Sequence, residues 1–403
     1  MNRPLNRILP RVTGPASVWT WVKWSLLAAL LIAVAIVARL VQTEIETSRL
    51  QARYLSELTR DVGYTVETGP SDHIRFPGNG PYDQRFGYAL IPAFQQRLLA
   101  RGFVVSEQAR DSQRMLSLGE RGLFLPYEEK DQTGLMLFDS TGSPLFATVF
   151  PQRVYADFDT VPRVITDSLL FIEDRYLLDA NEPNRNPAID WGRFSRALAD
   201  QALHVVNRHQ ARPGGSTLAT QIEKFRHSPE GRTATPPEKL RQIASASVRA
   251  YLNGPQTMLA RRTIVVRYLN SVPLAARPHI GEITGIGDGL AAWYGRDFNE
   301  VNRILSAPTT GDNVDEQGKT FREVLSLIIA QRAPSYFLNR GYPALQRLTD
   351  SYLRLLSNGG VISPALRDAA LSAQIERSAP PAAALVQSFV SRKAVTSARA
   401  SLL

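Results

Sequence analysis

The sequence predicts a mainly helical protein that carries one membrane-spanning helix near its start, followed by a small α+β module. The first observation is an apolar run at residues 24–41, which reaches the length of a bilayer span once the apolar residues before it are included. The second is a series of helix-capping signals and helically spaced apolar residues through residues 156–375. The third is a β-hairpin pattern at residues 134–148, inside the segment that joins these two parts.

The composition fits a folded protein with acidic partners. The 403 residues carry a net charge of +10, which favours anionic lipid, pyrophosphate, cell-wall polymers or DNA as partners. The basic residues are dispersed along the chain, so no nucleic-acid partner is predicted. The absence of cysteine excludes disulfides and thiolate metal sites, and the five histidines lack the spacing of a zinc site.

Flanking residues indicate how the apolar run lies in a membrane. Tryptophans suited to a membrane interface cluster at its start, at Trp19, Trp21 and Trp24. Basic residues precede it, at Arg3, Arg7, Arg11 and Lys23, and Glu44 and Glu46 follow it. The positive-inside rule therefore predicts a cytoplasmic tail at 1–17, an anchor at 18–41 and the remaining chain outside the cytoplasm. The alternative is a signal peptide cleaved near residues 33–35, but the apolar run continues past that point, which favours an uncleaved single-pass anchor.

The segment 42–155 is predicted to be a stalk and a small α+β module. Its predicted parts are a helical stalk at 42–59, loops at 69–87, a helix at 88–101, a short strand at 103–105 and the hairpin at 134–148 with its turn at 139–142. No catalytic motif lies in this segment. We therefore expect it to act as a spacer or as a partner-binding module.

The region 156–375 is predicted to be the main helical domain. Capping residues mark helix starts at Asp190, at Thr235 within a capping box and at Ser363 before a proline. Apolar residues at i, i+3, i+4, i+7 and i+8 predict a core helix around Phe321 and Ile329. Residues 376–403 are rich in Ala, Pro and Ser and are predicted to be a linker or tail. No S-x-x-K nucleophile motif with its partners follows, so we expect a monofunctional protein or the front part of a longer one.

Residues 214–224 form the stretch around which we expect a binding site. Gly214 and Gly215 allow a tight turn, after which Ser216 is predicted to cap a helix whose first turn is 217–220. Backbone N–H groups, a hydroxyl, the helix dipole and Lys224 would then converge on one spot, which suits an anion such as phosphate. The alternative interpretation is an ordinary N-capped helix.

Glu173 is the candidate catalytic carboxylate. It ends the apolar run 169–172, so we expect it to be partly desolvated, which is the environment of a general base. The alternative is a solvated helix end at which Asp174 and Arg175 form an ion pair.

Several motifs, in order, resemble the peptidoglycan glycosyltransferase domain (glycosyltransferase family 51) of class A penicillin-binding proteins and monofunctional transglycosylases. The segments that carry the resemblance are 173–177 (E-D-x-x-F in the family), 190–198, 214–224 (G-G-S-T-I-T-Q-Q-x-x-K), 241–245 (R-K-x-x-E), 264–270 (I-x-x-x-Y-L-N), 285–295 and 329–334 (L-A-x-L-P-x-P). The resemblance implies a lysozyme-like domain outside the inner membrane, in the periplasm. It also implies polymerisation of lipid II into glycan strands with inversion at the sugar.

The same resemblance implies roles for individual residues. Glu173 would deprotonate the acceptor hydroxyl, and undecaprenyl pyrophosphate would leave. The pyrophosphate would be bound by Gly215, Ser216, Thr217, Gln221, Lys224 and Arg241. A divalent cation, Mg or Mn, would lie near Asp174. The implied partners are lipid II, the nascent glycan strand, the inner membrane and other cell-wall synthesis proteins.

The third motif departs from the family pattern. Ser245 stands where the family has its second essential glutamate, and Gln242 stands where it has lysine. Glu223 is a candidate replacement for the missing carboxylate. The alternative functions are a catalytically silent relative that binds lipid II or wall-synthesis partners, and a lytic transglycosylase that uses Glu173 as a general acid. If Ser245 marks a simple loss, Ser245→Glu should keep or raise activity, whereas a sharp fall would mean that the site is built around serine.

Overall fold

Helices form most of the structure, a computed structural model that describes residues 16–77, 80–138, 140–191, 216–278 and 280–377. The helical share is 57% and the strand share 8%, which confirms the predicted mainly α class. The predicted glycine turn at Gly214 and Gly215, the 192–198 part of the second resemblance segment and most of the tail 376–403 lie outside the described residues.

The chain enters the fold through two consecutive helices. Helix α1 spans Ala16–Thr47 and α2 spans Arg49–Leu58. Within α1, residues 19–47 are long and apolar enough to cross a membrane, and none of that window is buried against protein. Helix α2 is docked on the main domain, where Thr59 Oγ1 donates to the carbonyl oxygen of Tyr251 at 2.8 Å. The predicted stalk is therefore in contact with the domain that follows.

The described residues in the rest of the middle segment form two antiparallel strand pairs and three α-helices. Its elements are β1 (Tyr64–Thr68), α3 (Pro81–Arg85), α4 (Ile91–Ala100), β2 (Glu107–Asp111), α5 (Gln113–Glu120), β3 (Thr133–Phe138) and β4 (Pro144–Phe150). The hairpin prediction is confirmed, because β3 pairs with β4. The strand predicted at 103–105 is wrong: the strand lies at β2, where Glu107 to Asp111 find partners on β1.

The predicted loop region 69–87 is wrong at its end, where α3 forms. Pro81 sits in the first turn, where its missing N–H costs nothing, and the Asp83 carboxylate accepts a hydrogen bond from the Gly80 N–H at 3.2 Å. A proline in the first turn and a carboxylate that caps the first N–H group thus start a helix within this Gly- and Pro-rich stretch. From this short helix, Asp83 reaches His227 of the main domain.

Helix α12 is a central helix of the main domain. The elements are α6 (Arg163–Glu173), α7 (Leu218–His227), α8 (Pro236–Ala250), α9 (Met258–Ser271), β5 (Pro273–Arg277), β6 (Gly281–Thr284), α10 (Ile286–Gly289), α11 (Phe298–Ser306), α12 (Val314–Ala330), α13 (Pro334–Phe337), α14 (Tyr342–Asn358) and α15 (Pro364–Ser372). Helix α12 contacts α6, α11, α14 and α15 and buries nearly every residue after its first turn. The predicted core helix is confirmed.

Capping explains where three helices begin, and one cap differs from the prediction. Thr235 and Ser363 cap α8 and α15 as predicted. Helix α7 is capped by Thr217 and not by Ser216. The Thr217 hydroxyl accepts from the Thr220 N–H at 3.3 Å, and the Thr220 hydroxyl accepts from the Thr217 N–H at 3.0 Å. This reciprocal pair satisfies two backbone donors, and it leaves the Ser216 hydroxyl for another partner.

Candidate active site

Glu173 is buried because of its place on α6. Ile165 and Leu169 lie on the buried face of that helix and are fully buried. Glu173 follows Leu169 by four residues, so its side chain lies on the same face. Only 8% of Glu173 is exposed. The last turn of α6 thus places a carboxylate at the edge of the core.

Two amide groups hold the Glu173 carboxylate. Gln221 Nε2 donates to Oε2 at 3.1 Å, and Gln331 Nε2 donates to Oε1 at 3.3 Å. Arg332 Nη2 lies 3.7 Å from Oε1. The sequence had singled out Gln221, whereas Gln331 and Arg332 were missed as neighbours of Glu173. Their only signal was their position in the segment 329–334.

Lys224 places a cation on the same side. It follows Gln221 by three residues, so both side chains lie on one face of α7. Burial disfavours the ammonium form and lowers the pKa of Lys224, and the nearby Glu173 carboxylate opposes that shift. An anion bound between these residues would restore the favourable environment of the ammonium group.

Ser216 contacts a second lysine that the sequence did not single out. Lys239 Nζ donates to Ser216 Oγ at 2.8 Å. Burial and the charge of Lys224 lower the pKa of Lys239 to about 8. Two partly desolvated ammonium groups therefore interact here: Lys239, which contacts Ser216 before the start of α7, and Lys224 further along that helix. The only sequence signal for Lys239 was its place two residues before Arg241 on the third-motif helix.

Arg241 and Ser245 face the segment 123–131, which we call the strap and which connects α5 to β3. The Arg241 guanidinium lies over the Phe124 ring, 4.2 Å from its centroid. The Phe124 N–H donates to Ser245 Oγ at 2.9 Å. Further along α8, Arg249 donates to the carbonyl oxygens of Leu125 and Tyr127. The strap thus covers the face of α8 that carries the third motif.

The other departures from the family pattern are also accounted for. Gln242 is fully buried and donates to the hydroxyl groups of Ser228 and Thr233. It therefore fixes the loop between α7 and α8. Glu223 accepts from Arg249 Nε at 2.8 Å. Glu223 follows Gln221 by two positions, a rotation of about 200° around the helix axis. Its side chain therefore lies on the opposite side of α7 from Gln221, away from Glu173. The partner of Glu223 in the described residues is therefore Arg249, and a role for Glu223 as a second catalytic carboxylate stays a prediction.

A buried charge cluster joins the middle segment to the main domain. His227 binds Asp83 through Nδ1 at 3.0 Å and Glu129 of the strap through Nε2 at 2.5 Å. Arg226 pairs with Glu129 and Asp131, and Arg249 pairs with Glu129. Burial opposes the imidazolium form, but the carboxylates of Glu129 and Asp83 outweigh it and raise the pKa of His227 to about 9. The cluster locks α3 and the strap onto α7 and α8.

The raised pKa of His227 predicts a loss of stability at alkaline pH. The unfolded histidine titrates near 6.5, so the stabilisation is fully present below that pH and disappears as the pH rises through about 9. We expect the Tm of the wild type to fall more steeply between pH 7 and 10 than that of His227→Gln. The lowered pKa values of Lys224 and Lys239 act in the opposite direction but are common to both proteins. Parallel Tm curves would contradict this prediction.

The expected metal site near Asp174 offers few candidate ligands among the described residues. Among the described ranges, no group of three Asp, Glu or His side chains could hold a metal ion by itself. In the His227 cluster, Glu129 is already paired with Arg226 and Arg249. Asp174 is buried beside Glu173 and could contribute one oxygen. Magnesium bound through one carboxylate is usually shared with substrate phosphates. Asp174 therefore fits a cation bound together with pyrophosphate, and a metal at this position is a proposal.

Comparison with known proteins gives the family. The sequence model described as Transglycosylase matches residues 143–353, just over half of the chain. The chain belongs to the transglycosylase family. The match includes Glu173, Gln221, Lys224, Arg241 and Ser245, and it confirms the resemblance to family 51 glycosyltransferases and the lysozyme-like fold. The strap lies outside the matched range of this transglycosylase. A comparison with individual curated proteins gave no match.

Proposed function

We propose that this transglycosylase polymerises lipid II into glycan strands while anchored in the bacterial inner membrane by α1. Its family supports peptidoglycan glycosyltransferase activity as the general class. The observation that carries the finer proposal is the buried Glu173 carboxylate, which is held by two amide donors and has the positive charges of Lys224 and Arg332 nearby. A base and an anion-binding group are the two elements that this reaction requires.

In the proposed reaction, Glu173 acts as the general base. The acceptor's 4-hydroxyl loses its proton to the carboxylate while its oxygen attacks the anomeric carbon of the donor. The bond between that carbon and the pyrophosphate oxygen breaks, and undecaprenyl pyrophosphate leaves with inversion at the sugar. Each Glu173 oxygen accepts one hydrogen bond from an amide. Carboxylate oxygens have two lone pairs each, so the carboxylate is oriented and still able to accept the proton.

The leaving pyrophosphate is the group that the cations would stabilise. Burial and the positive charge of Lys224 together lower the pKa of Lys239, so the two ammonium groups repel each other. A doubly charged anion between them removes that repulsion. Because negative charge grows on the leaving oxygen in the transition state, preorganised cations there lower the barrier. Arg241 is the third cation that we assign to the pyrophosphate.

The lowered pKa of Lys239 predicts that substrate binding depends on pH. A lysine with a pKa of about 8 loses its charge as the pH rises past that value. We expect the KM for lipid II to rise about tenfold between pH 7 and 9, which is the cost of one charge-assisted hydrogen bond. In Lys239→Arg the side chain stays charged over this range, so its KM should change much less. Identical pH profiles for the two proteins would rule out Lys239 as the titrating group.

The decisive experiment is polymerisation of labelled lipid II by the full-length protein in detergent, with and without magnesium or manganese. Glycan strands as product would establish the activity. No product together with measurable lipid II binding would instead identify a silent relative, and cleavage of preformed glycan would identify a lytic enzyme. Protease protection of the N-terminal tail in sealed vesicles would test the proposed orientation, with the tail in the cytoplasm and the domain in the periplasm.

A further inference from the structure

The strap contributes an aromatic ring to the cationic side of the proposed active site. Phe124 is 5% exposed, and its ring lies under the Arg241 guanidinium at 4.2 Å. The Arg241 Nε atom is buried without a hydrogen-bond partner. Among the described residues no carboxylate pairs with this guanidinium. Its observed contact is therefore the face of one aromatic ring.

Phe124 is itself held in place from two directions. Its N–H donates to Ser245 Oγ on α8, one turn after Arg241. Its ring packs 5.3 Å from the imidazole of His227, which the charge cluster fixes on α7. The ring therefore has a fixed position relative to both helices that carry the proposed pyrophosphate ligands.

We infer that Phe124 is a positioning residue for the glycosyltransferase reaction, acting through Arg241. This inference rests on the proposed function, since it assigns the pyrophosphate to Arg241. Ser245 then has a structural role in the site. Its hydroxyl accepts a hydrogen bond from the Phe124 N–H and so holds the Phe124 ring beneath the Arg241 guanidinium. The strap belongs to the segment 42–155, for which a spacer or a partner-binding module was predicted, and this inference gives one part of that segment a role at the site.

The aromatic ring orients the guanidinium of Arg241. A guanidinium that stacks on an aromatic face keeps its plane parallel to the ring, and a desolvated stack of this kind is worth more than an exposed one. Its N–H edge then stays free to donate two parallel hydrogen bonds to phosphate oxygens. Without the ring, the side chain would have to give up conformational freedom each time it binds the anion.

The test compares two substitutions at Phe124 in the full-length protein. Phe124→Leu keeps an apolar side chain but removes the aromatic face, whereas Phe124→Tyr keeps the face. We expect Phe124→Leu to raise the KM for lipid II about tenfold with little change in kcat, and Phe124→Tyr to stay within about twofold of the wild type. The dissociation constant for inorganic pyrophosphate, measured by calorimetry, should follow the same order.

Two controls separate positioning from packing. Leu125→Ala removes a buried strap side chain whose neighbour is Gly119 and should lower the Tm without changing KM. In an Arg241→Ala background, Phe124→Leu should have no further effect on KM, because the residue through which it acts is absent.

The outcomes separate this inference from the proposed function. Wild-type KM and pyrophosphate affinity in Phe124→Leu, or an equal KM change in Leu125→Ala, would overturn the positioning role even if glycan is made. If the wild type makes no glycan, the pyrophosphate measurements still decide: a loss in Phe124→Leu that Phe124→Tyr restores supports the role, and no binding by the wild type overturns it.

Discussion

Glu173→Gln is expected to lower the rate of glycan polymerisation about 10³-fold, because the variant has no group that can accept the acceptor's proton. The folded state should change little. The introduced amide keeps the shape of the glutamate, and its oxygen can still accept from Gln221 or Gln331, which donate to Glu173 in the wild type. The measurement is the initial rate on labelled lipid II, together with the Tm of both proteins.

Glu323 provides a matched control. It is another buried glutamate of the same domain, on α12, and its nearest cation is Arg296 at 3.6 Å. Burial raises the pKa of Glu323 to about 7, so a neutral amide resembles a form that it already adopts near neutral pH. We expect Glu323→Gln to polymerise lipid II at nearly the wild-type rate. Comparable rates in Glu173→Gln would remove Glu173 as the base.

Ser245→Glu is expected to be strongly harmful, although it restores the residue type of the family motif. Ser245 is 1% exposed, and its hydroxyl is already in contact with the Phe124 N–H. A longer side chain there has to displace the strap, at a cost of about 3 kcal/mol or more from overpacking and carboxylate burial. If the new carboxylate instead pairs with Arg241, it occupies the cation assigned to the pyrophosphate.

Both consequences predict a fall of at least about tenfold in polymerisation, together with a lower Tm. Ser245→Ala is the matching control, since it removes only the hydroxyl acceptor and should cost about 1 kcal/mol of stability. Equal or higher activity in Ser245→Glu, at an unchanged Tm, would show that the strap can move aside at little cost in stability. It would also show that Ser245 marks a simple loss of the family's glutamate.

Local rules predicted the parts of this chain that short-range physics controls. The hairpin of β3 and β4, the caps at Thr235 and Ser363 and the core face of α12 all follow from residues close together in sequence. The cap of α7 was misplaced by one residue because Ser216 and Thr217 are both good capping residues. Their partners in the fold distinguish them: Thr217 accepts from the Thr220 N–H, whereas Ser216 accepts from Lys239.

Long-range packing produced what the sequence could not reveal. Gln331 reaches Glu173 across 158 residues of chain, and Phe124 reaches Ser245 across 121. Neither residue carries a local pattern that indicates its partner. The strand expected at 103–105 failed for the same reason: Phe103 and Val104 have the right residue types, but the strand that pairs with β1 begins at Glu107. A strand needs a neighbour, and sequence propensity does not supply one.

The join between α1 and α2 has a mechanical consequence. Ser48 alone separates the two helices, and its hydroxyl accepts from the Asn186 N–H of the main domain at 3.3 Å. Asn186 also donates to Gln51 at 2.9 Å. With the proposed anchoring, this short join would hold the catalytic domain at a fixed height above the lipid bilayer. Each disaccharide would therefore be added at that height, and the lengthening strand would have to pass through the site while the domain stays beside the membrane.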